Sequence, residues 1–499
     1  IGYLSLSTED GHGRNVAIGA YALKDQNAGA EGYNVAVGYQ SGYAVTTGIN
    51  NIIIGGNAGD ALTSGAGNVA IGHEALSAED SHGRNVAIGH LALQAQNAGA
   101  DAYNVAIGYL AGLSVTTGTE NTIVGGLAGD ALTTGIKNVA IGHLALSSED
   151  EHGYNVAVGN RALRDLDAGN DAYNVAVGAS AGVTMSTGRY NNLIGAFAGD
   201  AITTGWSNTA IGYLALTTED SGSDAIAIGR HALQNQNYDG SSYNIAIGRD
   251  AGKEVTTGVN NTIVGGLAGD ALTTGVNNVA IGRNALSTED SGGYNVAIGA
   301  YALEDQNVDN AYNVAIGQEA GRNVTTGIYN IIIGGLAGDA LTTGNNNVAI
   351  GHEAFSTEDT TGGVTAIGYR ALKMQNADST SYNTAVGYQA GENITTGGHN
   401  VIFGGLAGDA LTTGSNNVAI GRSALTTEDT GSRTVAIGKS ALGLQNYDGD
   451  AYNVAVGYEA GVSVTTGVQN TLIGGLAGDA LTSGVENIAI GHNALGGED

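Results

Sequence analysis

Three apolar residues between an asparagine and a glycine recur along the whole chain, as in Asn34-Val35-Ala36-Val37-Gly38 and Asn138-Val139-Ala140-Ile141-Gly142. The pattern returns every 17 residues, with one step in four lengthened to 19 and a single step of 18 between Asn295 and Asn313. Gly-, Asn-, Asp- and Thr-rich stretches fill the intervals, which is turn composition. Short β-branched triplets bounded by such turns predict strands, and 17 residues is too few for a helical hairpin repeat of ~33–47 residues. The expected fold is therefore all-β: a parallel β-solenoid of about 29 coils, counting the partial ones at each end. Each coil has room for two strands of ~5 residues and two turns, and a rise of ~4.8 Å per coil predicts a stack on the order of 135 Å long.

The coils come in four kinds in a fixed order, giving a 70-residue super-repeat present about seven times. Examples are 453–469, 470–486, 278–294 and the longer 155–173. No linker or shift in composition interrupts them, so residues 1–499 are expected to form one continuous array, cut mid-coil at both ends. The chain opens on Ile1 with neither a Met nor a signal-peptide pattern, as a processed product or a piece of something longer would.

Numbering from the Asn assigns roles within a coil. Position 4 is always Ile, Val or Phe and reads as core. Position 5 is invariably Gly, as at Gly38, Gly55, Gly72 and Gly89, and predicts a conformation or close approach that a Cβ would block. Position 1 is Asn except at Ala225, Val364 and Thr434; a structural Asn ladder through Asn34, Asn51, Asn68 and Asn85 is expected, or else a repeated turn cap. Positions 9 and 12 alternate: Gly129 goes with Leu132, and Leu146 with Glu149. One core slot filled from either position would explain this, with the other residue small or turned outward. Position 3 is Ala in three kinds and Ile or Leu in the fourth, at Ile53, Ile123, Leu193 and Ile263. A strand apolar on both faces needs both covered, so these four residues are expected at an inter-chain interface.

Composition narrows the function. The 84 Gly without a single Pro fit neither collagen nor a Pro/Gly-rich linker. The absence of Cys removes disulfide and thiolate chemistry. A net charge of −30 argues against a nucleic-acid partner, and no apolar run is long enough for membrane insertion as a helix.

Asn-Val-Ala-Ile-Gly followed by two variable residues and Ala, with a Gly-rich turn per coil, resembles the YadA-like head repeats of trimeric autotransporter adhesins. It also resembles repeats in the shafts of phage and virus tail fibres. The resemblance covers every coil, although these coils are longer than the family's usual head coil. It implies a left-handed β-roll, three identical chains side by side, and an extracellular or cell- or virion-surface fibre. Its partners would be itself, as a homotrimer, and a host-surface glycan or protein receptor. Polymerisation of single chains end to end into a filament is the alternative.

Several motifs invite chemistry. "GGLAGDALTTG" (125–135) has the glycines of a phosphate cradle, but it has no Lys and recurs at one spacing. Glu-Asp pairs (Glu79-Asp80, Glu149-Asp150, Glu219-Asp220, Glu289-Asp290, Glu358-Asp359, Glu428-Asp429) read as a polar ladder facing Gln-Asn of the next coil. Weak calcium sites are the alternative, and no other cofactor is expected. The Asp row from Asp60 to Asp479 reads as turn residues, and the Tyr row Tyr33, Tyr103, Tyr173, Tyr243, Tyr312, Tyr382 and Tyr452 as space-filling or as exposed binding rings. His73, His143, His352 and His492 share one coil position but lie far apart in sequence. Half the coils lack the Thr rank of an ice-binding face, and no catalytic constellation is discernible, so no enzyme is expected.

Overall fold

In the computed structural model, described here for residues 1–11 and 13–497, all secondary structure is strand and turn. The chain forms two compact units, Ile1–Ile247 and Gly248–Asp499. The first holds β1 (Val16–Ile18) to β14 (Ile245–Ile247), the second β15 (Thr262–Val264) to β28 (Ile488–Ile490), and every strand has three residues. Each unit is a parallel β-solenoid in which like pairs with like: Val16 on Val35, Ala17 on Ala36, Ile18 on Val37. The second unit repeats this register, as in Val279 on Val296 and Ala280 on Ala297. Ile1 stacks on the first full coil through Gly19 N–H to Ile1 O (2.8 Å) without forming a strand, so 29 sequence units give 28 strands.

Each coil thus contains one strand, not two. The remaining residues nevertheless keep the inter-coil ladder: Gln40 N–H donates to Ala20 O, Leu23 to Ser41 O, and Thr46 to Thr63 O (3.0, 3.0 and 2.8 Å). Corners are made by residues in the left-handed region at positions 7 and 9 and at the last position. Leu91, Leu93 and Tyr103 (φ 58°, 48° and 55°) do this within one coil. Such a conformation costs a non-glycine residue ~1–2 kcal/mol, and each buried amide left unpaired would cost a comparable amount. The left-handed corners keep the amides aimed along the stack.

The strand faces are the reverse of the sequence expectation. Position 3 points into the coil, and positions 2 and 4 point out. Ile53, Ile123, Leu193 and Ile263 are fully buried within their own chain, so they are not an inter-chain interface. Position 4 is half-exposed, as at Ile71 and Ile141. Interior volume explains the reversal. A coil this short also encloses positions 8, 9 and 12, which leaves room only for Ala at position 3 when position 9 is Leu. Where position 3 is Ile, position 9 is Gly in that coil and in the preceding one. A Cβ at Gly42 would meet Ile53 Cδ1 at 2.9 Å, and one at Gly129 would meet Leu132 Cδ1 at 2.9 Å. Position 12 is interior in every kind, so Glu149 is buried and does not turn outward.

The Asn row is a ladder of a specific kind. Asn34 Oδ1 accepts from Asn51 N–H, Asn51 Oδ1 from Asn68 N–H, and Asn68 Oδ1 from Asn85 N–H (2.8, 2.9 and 3.0 Å). The Nδ2 group closes its own coil, donating to position 15: Asn34 to Gly48 O and Asn51 to Gly65 O (both 2.8 Å). Rung-to-rung pairing and turn closure are therefore done by the same side chain. The longer coils lack this closure, and Asn85 Nδ2 and Asn295 Nδ2 have no partner. Ala225, Val364 and Thr434 all fall in longer coils, which is why they are tolerated. Their backbone amides still donate to the Asn below (3.0 Å each).

These ladders set the response to two kinds of substitution. Asn121 makes both kinds of bond, to Gly135 O and from Asn138 N–H, whereas Asn295 makes only the second. Asn121→Ala should destabilise by ~2–4 kcal/mol and Asn295→Ala by roughly half that; urea unfolding that ranks the two equally would reject the dual role. At position 5, Gly265 sits at φ 139°, and an added Cβ would lie 2.4 Å from Gly282 O. Gly265→Ala should cost ~2–5 kcal/mol through strain and overpacking, with amide exchange accelerated first in the coils on either side.

Candidate functional surface

The reversed strands give each unit an outward sheet face made only of positions 2 and 4. In the first unit it carries Val16, Ile18, Ile52, Ile107, Ile141, Ile194 and Ile247, and in the second Ile316, Ile331, Val401, Phe403 and Ile473, all more than a third exposed. No charged residue occupies either position in any coil. Because register is in phase, these side chains form two rows along fourteen strands per unit, about 60 Å at ~4.8 Å per rung; position 4 is apolar throughout, and position 2 is apolar except at Asn192 and at Thr122, Thr209, Thr262, Thr365, Thr384 and Thr471. Solitary exposed apolar residues are ordinary, whereas an uncharged, largely apolar surface of this extent is a candidate interaction surface.

Aromatic rows flank that face. At position 6, His73 stacks on His90 and His90 on Tyr109 (5.4 and 5.5 Å between centroids), and His352, Tyr369 and Tyr388 repeat the pattern. The other row contains the Tyr residues that close the longer coils. They are 46–61% exposed and do not fill interior space. Tyr154, Tyr173 and Tyr190 stack in sequence, as do Tyr294, Tyr312 and Tyr329. Small residues such as Ala102, Ala172 and Ala311 take the interior space instead.

The phosphate-like loop and the Thr pairs find partners within the coil stack, and the Glu residues lie inside it. In "GGLAG" the amides of Gly125, Leu127, Ala128 and Gly129 all donate to backbone carbonyls, so these four are committed to the coil stack and cannot converge on a phosphate. Thr116 and Thr133 hydroxyls donate to Thr133 O and Asp150 O on the next coil (3.2 and 2.9 Å) and form no free hydroxyl rank. The Glu of each Glu-Asp pair is buried inside the coil. Glu289 accepts from Gly292 N–H (2.7 Å), Gln306 Nε2 (3.0 Å) and Val308 N–H (3.4 Å). Gln306 Oε1 then accepts from Asn313 Nδ2, which also donates to Gly327 O (2.8 and 2.7 Å). The Glu428-Gln445-Asn453 group repeats this chain of bonds. The carboxylate-over-amide ladder read from the sequence exists, but it is an interior network. Position 12 already pairs Leu132 with Glu149 in the sequence, but a charged residue there reads as turned outward, and the structure places it inside.

No protein-family model matches this chain, and no curated protein sequence matches it.

The acidic turn residues give the surface a pH response. Asp60, Asp130, Asp270 and Asp339 each keep a buried Oδ1 without a partner, while Asp409 Oδ1 accepts from Thr426 (2.5 Å). Burial pushes the Asp339 carboxyl up to about 6, with Glu319 and Glu353 adding to the rise and Lys373 opposing it. Burial likewise raises Glu219 and Glu289. A carboxyl whose folded-state value is raised takes up a proton on folding. Its stabilising protonation is complete below the ordinary Asp value of ~3.9 and is lost as pH rises through about 6. The melting temperature should therefore rise between about pH 7.5 and about pH 5, the window that brackets this carboxyl. Asp339→Asn should raise it at the upper end of that window and flatten its pH dependence; a melting point that falls on acidification would contradict this assignment.

Proposed function

We propose that this chain is a structural segment of a surface fibre, in which further copies of the same chain cover the outward sheet face. The observation that carries this reading is the uncharged double row at positions 2 and 4, in a chain whose net charge is −30. A partner covering such a face must be apolar along its length and must match a ~4.8 Å repeat, and an identical solenoid supplies both. The resemblance to trimeric adhesin heads and tail-fibre shafts supports three chains around a common axis. In that arrangement the flanking aromatic rows line the edges of each contact and remain available to a receptor or glycan. Function is then mechanical, since stability is a sum over neighbouring coils.

Light scattering behind a sizing column tests this. The intact chain should elute with the mass of three copies. Ile107→Asp with Ile141→Asp, both outward-facing, should yield single chains whose circular dichroism is unchanged. A single-chain mass for the unaltered protein would remove the proposal, and a mass that grows with concentration beyond three copies would favour end-to-end polymerisation. An inward residue such as Ile123 is unsuitable, because its buried side chain supports the coil itself.

A further inference from the structure

The six complete turns bearing Glu-Asp are not equivalent. In four of them position 15 is small or hydroxylic, at Gly222, Gly292, Thr361 and Gly431. In the other two it is histidine, giving Glu79-Asp80-Ser81-His82 and Glu149-Asp150-Glu151-His152. A third copy, Glu9-Asp10-Gly11-His12, ends on a residue outside the described ones.

The histidine coincides with other changes at the same turn. In the glycine turns the Glu carboxylate is fully engaged: Gly222, Gly292 and Gly431 amides each donate to it at 2.7 Å, and the Gln of the next coil donates to its second oxygen. In the histidine turns the amide bond lengthens to 3.2 Å at His82 and 3.1 Å at His152. The Gln contact is absent as well, as it is at the Thr361 turn, where Gln375 donates to Ser381 Oγ. Gln96 donates to Thr116 O instead, and at the second turn the Gln-Asn of sister coils is replaced by Leu166-Asp167. The exchange removes an amide donor and adds a carboxylate.

These changes leave lone pairs without donors. Glu79 is fully buried, and its Oε2 has no hydrogen-bond partner. At the second turn Glu149 Oε2 keeps only a long bond from Ala168 N–H (3.4 Å), and His152 Nδ1, which makes no hydrogen bond, stands 3.3 Å from Glu149 Oε1. Two donors on one tetrahedral ion with metal–ligand distances of ~2.0–2.1 Å are about 3.4 Å apart. Glu149, Asp150, His152 and Asp167 each present a ligand atom, all within 4.8 Å of one another, and Glu79, Asp80 and His82 do the same.

The geometry points to a divalent transition-metal site at each histidine-bearing turn. The stronger site would be held by Glu149, Asp150, His152 and Asp167, the second by Glu79, Asp80 and His82. One imidazole nitrogen with carboxylate oxygens suits zinc or a neighbouring first-row ion better than calcium, which takes oxygen ligands only. Asp167 belongs to the following coil, so an ion there would cross-link two rungs of the solenoid.

The test uses the full chain and zinc alone as probe. The sister coils supply replacements that the fold already tolerates: His82→Gly and His152→Gly reproduce the turn at Gly222, and Asp167→Asn matches Asn97 and Asn237. Isothermal titration with zinc should show saturable binding that the double His→Gly variant loses while its circular dichroism is unchanged. Asp167→Asn should weaken binding at the second turn by at least ~10-fold, the loss that even an outer-shell change brings. Cobalt in place of zinc should give visible bands of a nitrogen- and oxygen-ligated ion, absent in the double variant. Zinc binding that is unchanged in the double variant, or absent from the unaltered chain at millimolar zinc, would overturn the assignment.

Discussion

Every residue within a unit lies one rung, ~4.8 Å, from the residue at the same position of the next coil, and this spacing governs everything else. A side chain must be compatible with its own neighbours above and below before it can serve any other purpose. Glycine at position 5 satisfies the rule by absence: at Gly55 an added Cβ would lie 2.3 Å from Gly72 O. Asparagine satisfies it by bonding, since its Oδ1 meets the amide of the next coil while its Nδ2 closes its own. Glutamate cannot be stacked on glutamate inside the coil without like-charge repulsion in a dry interior, so a Gln follows it, as Gln306 follows Glu289. A four-coil super-repeat is the result, because neighbouring coils must differ to fit.

The same constraint sets the apolar interior. A coil of 17 residues encloses too little volume for a large side chain at positions 3, 9 and 12 together. Leucine at position 9 goes with alanine at position 3 and, apart from Leu166, with a polar residue at position 12. Glycine at position 9 goes instead with an apolar residue at position 12, and in one of its two kinds with Ile or Leu at position 3. Ile123 sits opposite the gap left by Gly112 and Gly129, where a Cβ would approach its Cδ1 to 3.0 and 3.5 Å. Filling one gap alone overpacks the coil and emptying one leaves a cavity, and both cost stability. The four kinds of coil are thus one interior shape solved in four ways.

Stacking by position also decides what was legible in the sequence. Period, strand class, parallel stacking, the glycine at position 5 and the Asn row could all be read from recurrence, because each is a property of one position repeated. Which strand face is interior could not, since Val-Ala-Ile is apolar on both sides and only the volume left by Leu93 or Leu146 makes Ala the inward residue. The left-handed corners at Leu91, Leu93 and Tyr103 were equally hidden, because large side chains are poor markers of positive φ. Glu149 and Gln96 share their coil position with Leu132 and Val115, but their polarity reads as turned outward, and only the enclosed volume places them inside.

Charge placement bears on the outward face in the same way. The chain carries 47 acidic against 17 basic residues, yet none of either sign stands at positions 2, 3 or 4 of any coil. Solubility alone would favour charges on an outward strand face, and edge or surface strands are commonly protected in that way. Here the acids are confined to the turns, some of them at an energetic disadvantage, as with Asp339 and its carboxyl raised to about 6. Keeping charge off the outward strand face while accumulating it in the turns is what the proposed covering of that face by further copies requires. In the proposed assembly, repulsion between the acidic turns would favour the approach that brings one outward strand face against another.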